Sequence, residues 1–85
     1  MDPYRRAFCY TISRLLAGRV VDSEEILRQV YAEAGTIYIA PGRTVKDWLA
    51  DIEDLGLVER KGVTTLLVKD RRALERILVR DCGNS

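Results

Sequence analysis

The residue types on which most enzyme chemistry depends are scarce in this chain of 85 residues. Histidine is absent, so acid–base catalysis near neutral pH and serine or cysteine triads lack their usual base. One short segment is crowded with carboxylates, namely Asp47, Asp51, Glu53 and Asp54. They spread around a helix instead of converging, and the chain has neither a glycine-bearing calcium loop nor a glycine-rich phosphate loop. We therefore predict no enzyme, no metal site and no cofactor.

The two cysteines, Cys9 and Cys82, leave three interpretations open. Without histidine they cannot form a usual zinc site. Two reduced thiols are the interpretation that an intracellular location favours, whereas a disulfide between the tail and the first helix is one that a hyperthermophile protein could keep. In the third interpretation Cys82 bridges two subunits.

The composition is typical of a globular domain, with 47% hydrophobic and 32% charged residues. A chain of this length makes one domain, residues 1–85, with little room for an enclosed active site. No apolar run approaches the roughly eighteen residues that cross a bilayer. The first residues also lack the apolar segment and cleavage site of a signal peptide. We expect a cytoplasmic protein that does not enter a membrane.

The net charge of +1 excludes the strongly basic field of a general nucleic-acid coater. Any binding to nucleic acid must therefore use a local patch. Eleven of the fourteen basic residues are arginine, while glutamine and asparagine occur once each. Few amides and many charges are typical of a thermophilic source.

Hydrophobic periodicity predicts four helices that would position these side chains. The first three predicted helices run from Tyr4 to Ala17, from Ser23 to Ala34, and from a cap at Thr44 to Leu55. The fourth runs from Arg71 to about Arg80, and residues 81–85 should fray. Between the first two helices, Arg19-Val20-Val21 predicts a small strand. Ile37 and Ile39 alternate with other residues, as in a short extended segment packed on one side.

The stretch from Thr44 to Val68 organises the rest of the chain. Thr44 and Asp47 have capping-box spacing at the start of the third helix. Gly56 should end that helix, and Lys61-Gly62 should turn an antiparallel ribbon. The spacing places one apolar face toward the core, made of Val45, Trp48, Leu49, Ile52 and Leu55.

The run from Trp48 to Arg60, with Leu55-Gly56-Leu57-Val58 inside it, resembles the junction between recognition helix and wing in winged helix-turn-helix domains. The resemblance covers about residues 4 to 70. It implies an α+β fold with a three-helix core and a β-hairpin wing, to which this chain adds a C-terminal helix. The connection over residues 36–42 is longer than the tight turn of the simplest helix-turn-helix proteins.

The resemblance also implies a regulator of transcription that binds double-stranded DNA, with the third helix in the major groove and the wing on the backbone. Position by position, it implies base or phosphate contacts by Arg43, Thr44, Lys46, Asp47 and Ala50. For the wing it implies backbone contacts by Arg60, Lys61 and either Thr64 or Thr65. Arginine and lysine can pair with guanine acceptors, and aspartate can accept from a cytosine amino group.

One feature favours a different function, because Asp51, Glu53 and Asp54 would repel phosphates along the later turns of the same helix. The alternative is a winged-helix module that binds no DNA through this helix and docks its acidic face on a basic protein. If the protein binds DNA, we expect a homodimer through the C-terminal helix, the first helix or both, which doubles the positive patches. Nothing in the sequence indicates a small-molecule effector.

Overall fold

Each helix of the computed structural model, which describes residues 2–83, begins after a side chain that caps it. The helices are α1 (Pro3–Leu16), α2 (Ser23–Ala34), α3 (Val45–Asp54) and α4 (Arg71–Cys82). The capping residues are Asp2, Asp22, Thr44 and Asp70, and each accepts a hydrogen bond from the backbone N–H three residues later. This satisfies one of the backbone donors that every helix start leaves without an intrahelical partner.

The larger sheet has three antiparallel strands in the order β1-β5-β4. Their bounds are Val20–Asp22 for β1, Val58–Arg60 for β4 and Thr65–Val68 for β5. The central strand β5 pairs Leu67 with Val20 on one side and Val68 with Val58 on the other. The strand between α1 and α2 thus joins the hairpin that follows α3. This α+β arrangement of helices and small antiparallel sheets is compatible with a winged helix.

A second, two-stranded sheet fills the connection between α2 and α3. Strand β2 (Tyr38–Ala40) pairs with β3 (Arg43–Thr44), and Gly42 takes a positive φ of 71° at the turn between them. The sequence predicted one extended segment and a turn here, but not that Arg43 and Thr44 would pair back on it. The Val45 N–H then donates to the Ile37 carbonyl at 2.9 Å, which fixes where α3 starts.

The core lies where the four helices meet β4 and β5. Its fully buried side chains include Ile12, Leu15, Val30, Val45, Ile52, Leu66 and Leu74. At its edge the Phe8 and Trp48 rings meet edge to face, with centroids 5.0 Å apart, so that α3 packs on α1. Among residues 2–83 no helix is long and apolar enough to span a membrane.

One predicted core position, Leu55, lies outside the core. Leu55 is 73% exposed, because α3 ends at Asp54 and Gly56, with φ 80°, turns the chain. The Leu57 N–H then donates to the Ile52 carbonyl, and Leu57 packs against the core in place of Leu55. On α1, Tyr4 is exposed, while the small Ala7 is fully buried.

The fourth helix is longer than predicted and ends at Cys82, so residues 81 and 82 do not fray. A disulfide between Cys82 and Cys9 ties this last turn to α1, which is the second of the three states considered for the cysteines. The rest of the predicted frayed tail, apart from Gly83, lies outside the described residues.

Candidate nucleic-acid interface

The start of α3 is held by a reciprocal set of hydrogen bonds. The Asp47 N–H donates to Thr44 Oγ1 at 3.3 Å, and the Thr44 N–H donates to Asp47 Oδ2 at 2.9 Å. Thr44 Oγ1 also donates to the same carboxylate oxygen at 3.1 Å. These bonds from the Thr44 backbone and hydroxyl stabilise the charged form and lower the pKa of Asp47. The predicted base-contact residues Thr44 and Asp47 therefore already serve the helix start.

Three other predicted contact residues surround this first turn. Lys46 and Ala50 are exposed, and Lys46 pairs with no carboxylate among residues 2–83. Arg43 lies on β3 and forms an ion pair with Asp51, at the end of the second turn of α3. The structure thus places Arg43, Thr44, Lys46 and Asp47 in or just before the first turn of α3, and Ala50 lies in the next turn. Among residues 2–83, Lys46 is the one charged side chain of the five that forms no ion pair or side-chain hydrogen bond.

The two basic residues of the hairpin are also paired with acids. Arg60 Nη2 lies 3.2 Å from Glu53 Oε1, and Arg60 Nη1 donates to the Val63 carbonyl at 2.6 Å. Lys61 Nζ lies 3.1 Å from Glu59 Oε2, and this hydrogen bond lowers the pKa of Glu59. The Arg60 contact ties the hairpin to the last turn of α3, not to its first.

Thr64 is oriented toward the start of α2. Its hydroxyl donates to Asp22 Oδ2 at 2.8 Å, and its carbonyl accepts from the Ser23 N–H at 2.7 Å. The Glu25 N–H and the Thr64 hydroxyl both lower the pKa of Asp22. The Thr64 proton that a phosphate would need is therefore donated within the chain, which weakens the sequence-based assignment of this residue.

The ion pairs of Arg43, Arg60 and Lys61 leave the surface predicted to bind DNA close to neutral. These ion pairs are weak. Each joins side chains that are roughly a third to a half exposed. Exposed ion pairs typically contribute between 0 and about 1 kcal/mol, because water screens them and two long side chains must be ordered. A phosphate that lies closer, or that accepts two hydrogen bonds from the same side chain, can displace such a carboxylate.

Sequence reasoning missed Tyr38. It lies on β2 directly opposite Thr44, and side chains of directly opposed residues project from the same face of a sheet. Tyr38 is 46% exposed, so its ring stands beside the start of α3 and is open to solvent. Its place follows from the pairing of residues 38–40 with 43–44. The sequence pattern indicated the turn at Pro41-Gly42 but not this pairing.

An open groove of about 550 Å³ runs beside this surface. Its wall includes Tyr4, Phe8, Trp48, Arg43 and, from the end of α4, Asp81.

The part of the chain that the structure describes holds no group of three or more acidic or cysteine side chains that could bind a metal. No protein family, no curated protein sequence and no solved structure was found to match this chain.

Proposed function

We propose that this domain is a winged helix that binds double-stranded DNA and regulates transcription. The observation that carries the proposal is the three-stranded sheet β1-β5-β4, in which the hairpin that immediately follows α3 is completed by the strand before α2. In such an arrangement α3 enters the major groove and the hairpin lies along the backbone. The resemblance of residues 48–60 to the family supports the same assignment.

The first turn of α3 supports contact with a polyanion. Its backbone N–H groups form the positive end of the helix dipole, and Lys46 adds an exposed cation without a carboxylate partner within residues 2–83. Ala50, one turn later, offers a methyl-sized surface to a base edge. The Tyr38 hydroxyl can donate to a phosphate beside this turn.

The ion pairs of Arg43, Arg60 and Lys61 must exchange partners when DNA binds. Because each exposed pair contributes at most about 1 kcal/mol, the exchange costs little for any single residue. The later turns of α3, with Asp51 and Asp54, remain acidic and would lie away from the phosphates. We therefore expect weak affinity for random duplex DNA with a strong dependence on salt.

A fluorescence titration with random duplex DNA at two salt concentrations tests the proposal. The unmodified protein should bind weakly and lose affinity as salt rises. Lys46→Ala should weaken binding and lower the salt slope by about one unit. Arg28→Ala is a matched control, since Arg28 on α2 is exposed and paired with Glu25. No detectable binding at low salt contradicts the proposal.

The homodimer belongs to the same proposal, because two copies would present two first turns of α3 to two half-sites. The disulfide lies within one chain, so a dimer would not depend on a bridge between subunits. Sedimentation with and without reductant tests this part, and a monomer under both conditions with duplex DNA present contradicts it.

A second candidate function is a protein-interaction module, and the exposed apolar residues favour it. Leu55 is 73% exposed directly after Asp54, and Val63 at the hairpin tip is 92% exposed. Of the two, Leu55 adjoins the acidic end of α3, and an apolar side chain beside acidic residues suits a basic protein partner with an apolar contact. Leu55→Ser should leave DNA binding unchanged if the domain is a regulator, whereas it should abolish capture of the partner if the domain is an adaptor.

A further inference from the structure

The outer face of α4 carries a continuous row of basic side chains. Arg72, Arg76 and Arg80 recur every four residues, which places them on one face of the helix. All three are exposed, and together with Glu75 and Val79 they line one shallow depression. We call this surface the α4 ridge. It is lined by α4 alone, so no other described element covers it.

The α4 ridge carries two arginines that form no ion pair within residues 2–83. Neither Arg72 nor Arg76 forms an ion pair within residues 2–83, and Glu75 forms none either. Arg80 pairs with its neighbour Asp81, with Nε 2.9 Å from Oδ1. Because Asp81 neutralises Arg80, Arg72 and Arg76 against Glu75 leave a net charge of +1 on a single face, as large as that of the whole chain.

The inner face of α4 fixes the direction of the ridge. Leu74 is fully buried, and the disulfide to Cys9 holds the last turn on α1. Arg71 Nη2 also donates to the Leu16 carbonyl at 2.8 Å, at the end of α1, where a cation is favourable. Because both ends of α4 are attached, the ridge is presented to solvent as a preorganised row.

The ridge adjoins the surface proposed for DNA binding. Asp81, next to Arg80, and Arg43, next to the first turn of α3, border the same groove. From Arg72 to Arg80 the helix rises about 12 Å. A strand of DNA presents one phosphate about every 3.4 Å along the axis, so the row can lie beside about three phosphates.

We infer that the α4 ridge binds the phosphate backbone of double-stranded DNA outside the segment that α3 contacts. The inference rests on the proposed function. Arginine favours phosphate because its planar guanidinium can form two parallel hydrogen bonds to it. The contact reads no sequence, so it supplies affinity and orientation while α3 supplies base contacts.

A second copy of the chain fits this surface poorly. Val79 is 68% exposed, but it is the one apolar side chain in the depression, and arginines flank it. Two ridges packed face to face would bring like charges together and bury little apolar area. A polyanion removes this repulsion, and a duplex is long enough to contact the ridge and the first turn of α3 together.

The test is a titration of labelled random duplex DNA into the intact, oxidised protein over a range of salt. Arg72→Ala with Arg76→Ala should weaken binding several-fold at low salt and lower the salt slope by about two units. The matched control is Arg6→Ala with Arg28→Ala, which removes the same charge at two ion-paired sites. Circular dichroism of each variant confirms that the fold is kept.

The outcomes separate this inference from the proposed function. If Lys46→Ala weakens binding but the ridge variant behaves like its control, the ridge inference is wrong and the proposed function stands. If the ridge variant weakens binding while Lys46→Ala does not, the ridge binds DNA and the role of α3 is wrong. Binding that is equally strong to poly-glutamate of matched charge would also overturn the assignment to DNA.

Discussion

The helices α3 and α4 both expose arginines or lysines, but the chain holds and neutralises them in different ways. α3 buries three side chains, Val45, Leu49 and Ile52, and its neighbouring cations are paired with carboxylates. α4 has one fully buried side chain, Leu74, and two half-buried ones, Ile77 and Leu78. The disulfide and Arg71 attach it further. Arg72 and Arg76, on its outer face, have no acidic partner among residues 2–83.

The comparison shows that α3, the helix that resembles a recognition helix, has fewer arginines and lysines without an acidic partner than α4 has. α3 offers geometry, because its start is capped and its axis is fixed by the core. α4 offers charge, because its outer face is basic and its position depends on a covalent bond that reductant can break. A binding mode that uses both would therefore combine a rigid base-reading end with a redox-dependent phosphate contact.

Breaking the disulfide should produce the largest effect. The bond closes a loop of 73 residues in sequence separation, for which loop-closure entropy predicts a loss of about 4 kcal/mol of unfolding free energy. Urea unfolding with and without reductant measures it. Amide exchange should accelerate more in the last turns of α4 than in α3. Cys9→Ala with Cys82→Ala is the control, since its unfolding should not respond to reductant.

Truncating one buried leucine in α3 and one in α4 should cause the second-largest loss of unfolding free energy. Leu74→Ala and Leu49→Ala each remove a buried side chain and should cost about 3 kcal/mol. They should differ locally: Leu74→Ala leaves α4 without a fully buried anchor, whereas α3 keeps Val45 and Ile52. Amide exchange in reductant distinguishes them, because α4 should then exchange faster in the Leu74 variant than in the Leu49 variant. Equal protection of α4 in both variants would contradict the comparison.

Most elements could be predicted from sequence because each has a local cause. Caps at Asp22, Thr44 and Asp70, and glycines at 35 and 56 with positive φ, define helix ends within a few residues. Leu55 was misassigned because periodicity alone does not show where a helix stops. Its place in the core is taken by Leu57 only after the chain turns.

The candidate site was less predictable because pairings across elements decide it. Sequence spacing indicated exposed cations at Arg43, Arg60 and Lys61, but it gave no information about which carboxylate each would meet. The partners lie from two to eight residues away and belong to different elements. Likewise, Tyr38 becomes part of the surface only through its register with Thr44.

The cap of α3 should have a smaller effect than the buried leucines. Thr44→Ala removes an acceptor for the Asp47 N–H and should cost about 1 kcal/mol of unfolding free energy. Thr44→Ser, which keeps the oxygen, is the matched control and should cost less. If chemical unfolding shows no difference between the two variants, the hydrogen bond does not stabilise the helix start.

Low pH should reduce the stabilisation that the Asp22 and Asp47 carboxylates give to the starts of α2 and α3. The pKa values of Asp22 and Asp47 are lowered in the folded state, chiefly by backbone N–H donors. Their stabilisation is therefore complete above the unfolded pKa and is lost as the pH falls below about 4, through the folded values. Thermal unfolding between pH 6 and pH 2 measures this, and Asp47→Asn should flatten the decline.

We expect the smallest effect when one acidic residue is replaced on each cationic surface, Glu53 beside the hairpin and Glu75 on the α4 ridge. Glu53→Gln releases Arg60 from its ion pair, so DNA binding should gain both a freed guanidinium and reduced repulsion. Glu75→Gln on the α4 ridge breaks no ion pair within the described part of the chain, so only repulsion is reduced. Since an exposed pair contributes at most about 1 kcal/mol, we expect up to about fivefold tighter binding for Glu53→Gln and a smaller gain for Glu75→Gln.

The same titration, repeated for both variants at two salt concentrations, decides between the surfaces. The gain from Glu53→Gln should come with a steeper salt slope, because Arg60 then replaces a counterion at a phosphate. Asp54→Asn is the control for charge on α3, since Asp54 is exposed and forms no ion pair within residues 2–83. If Asp54→Asn matches Glu53→Gln, the effect is general charge, and the hairpin arginine is not a contact. If Glu75→Gln exceeds both, the ridge dominates binding, and α3 has the lesser share of the affinity.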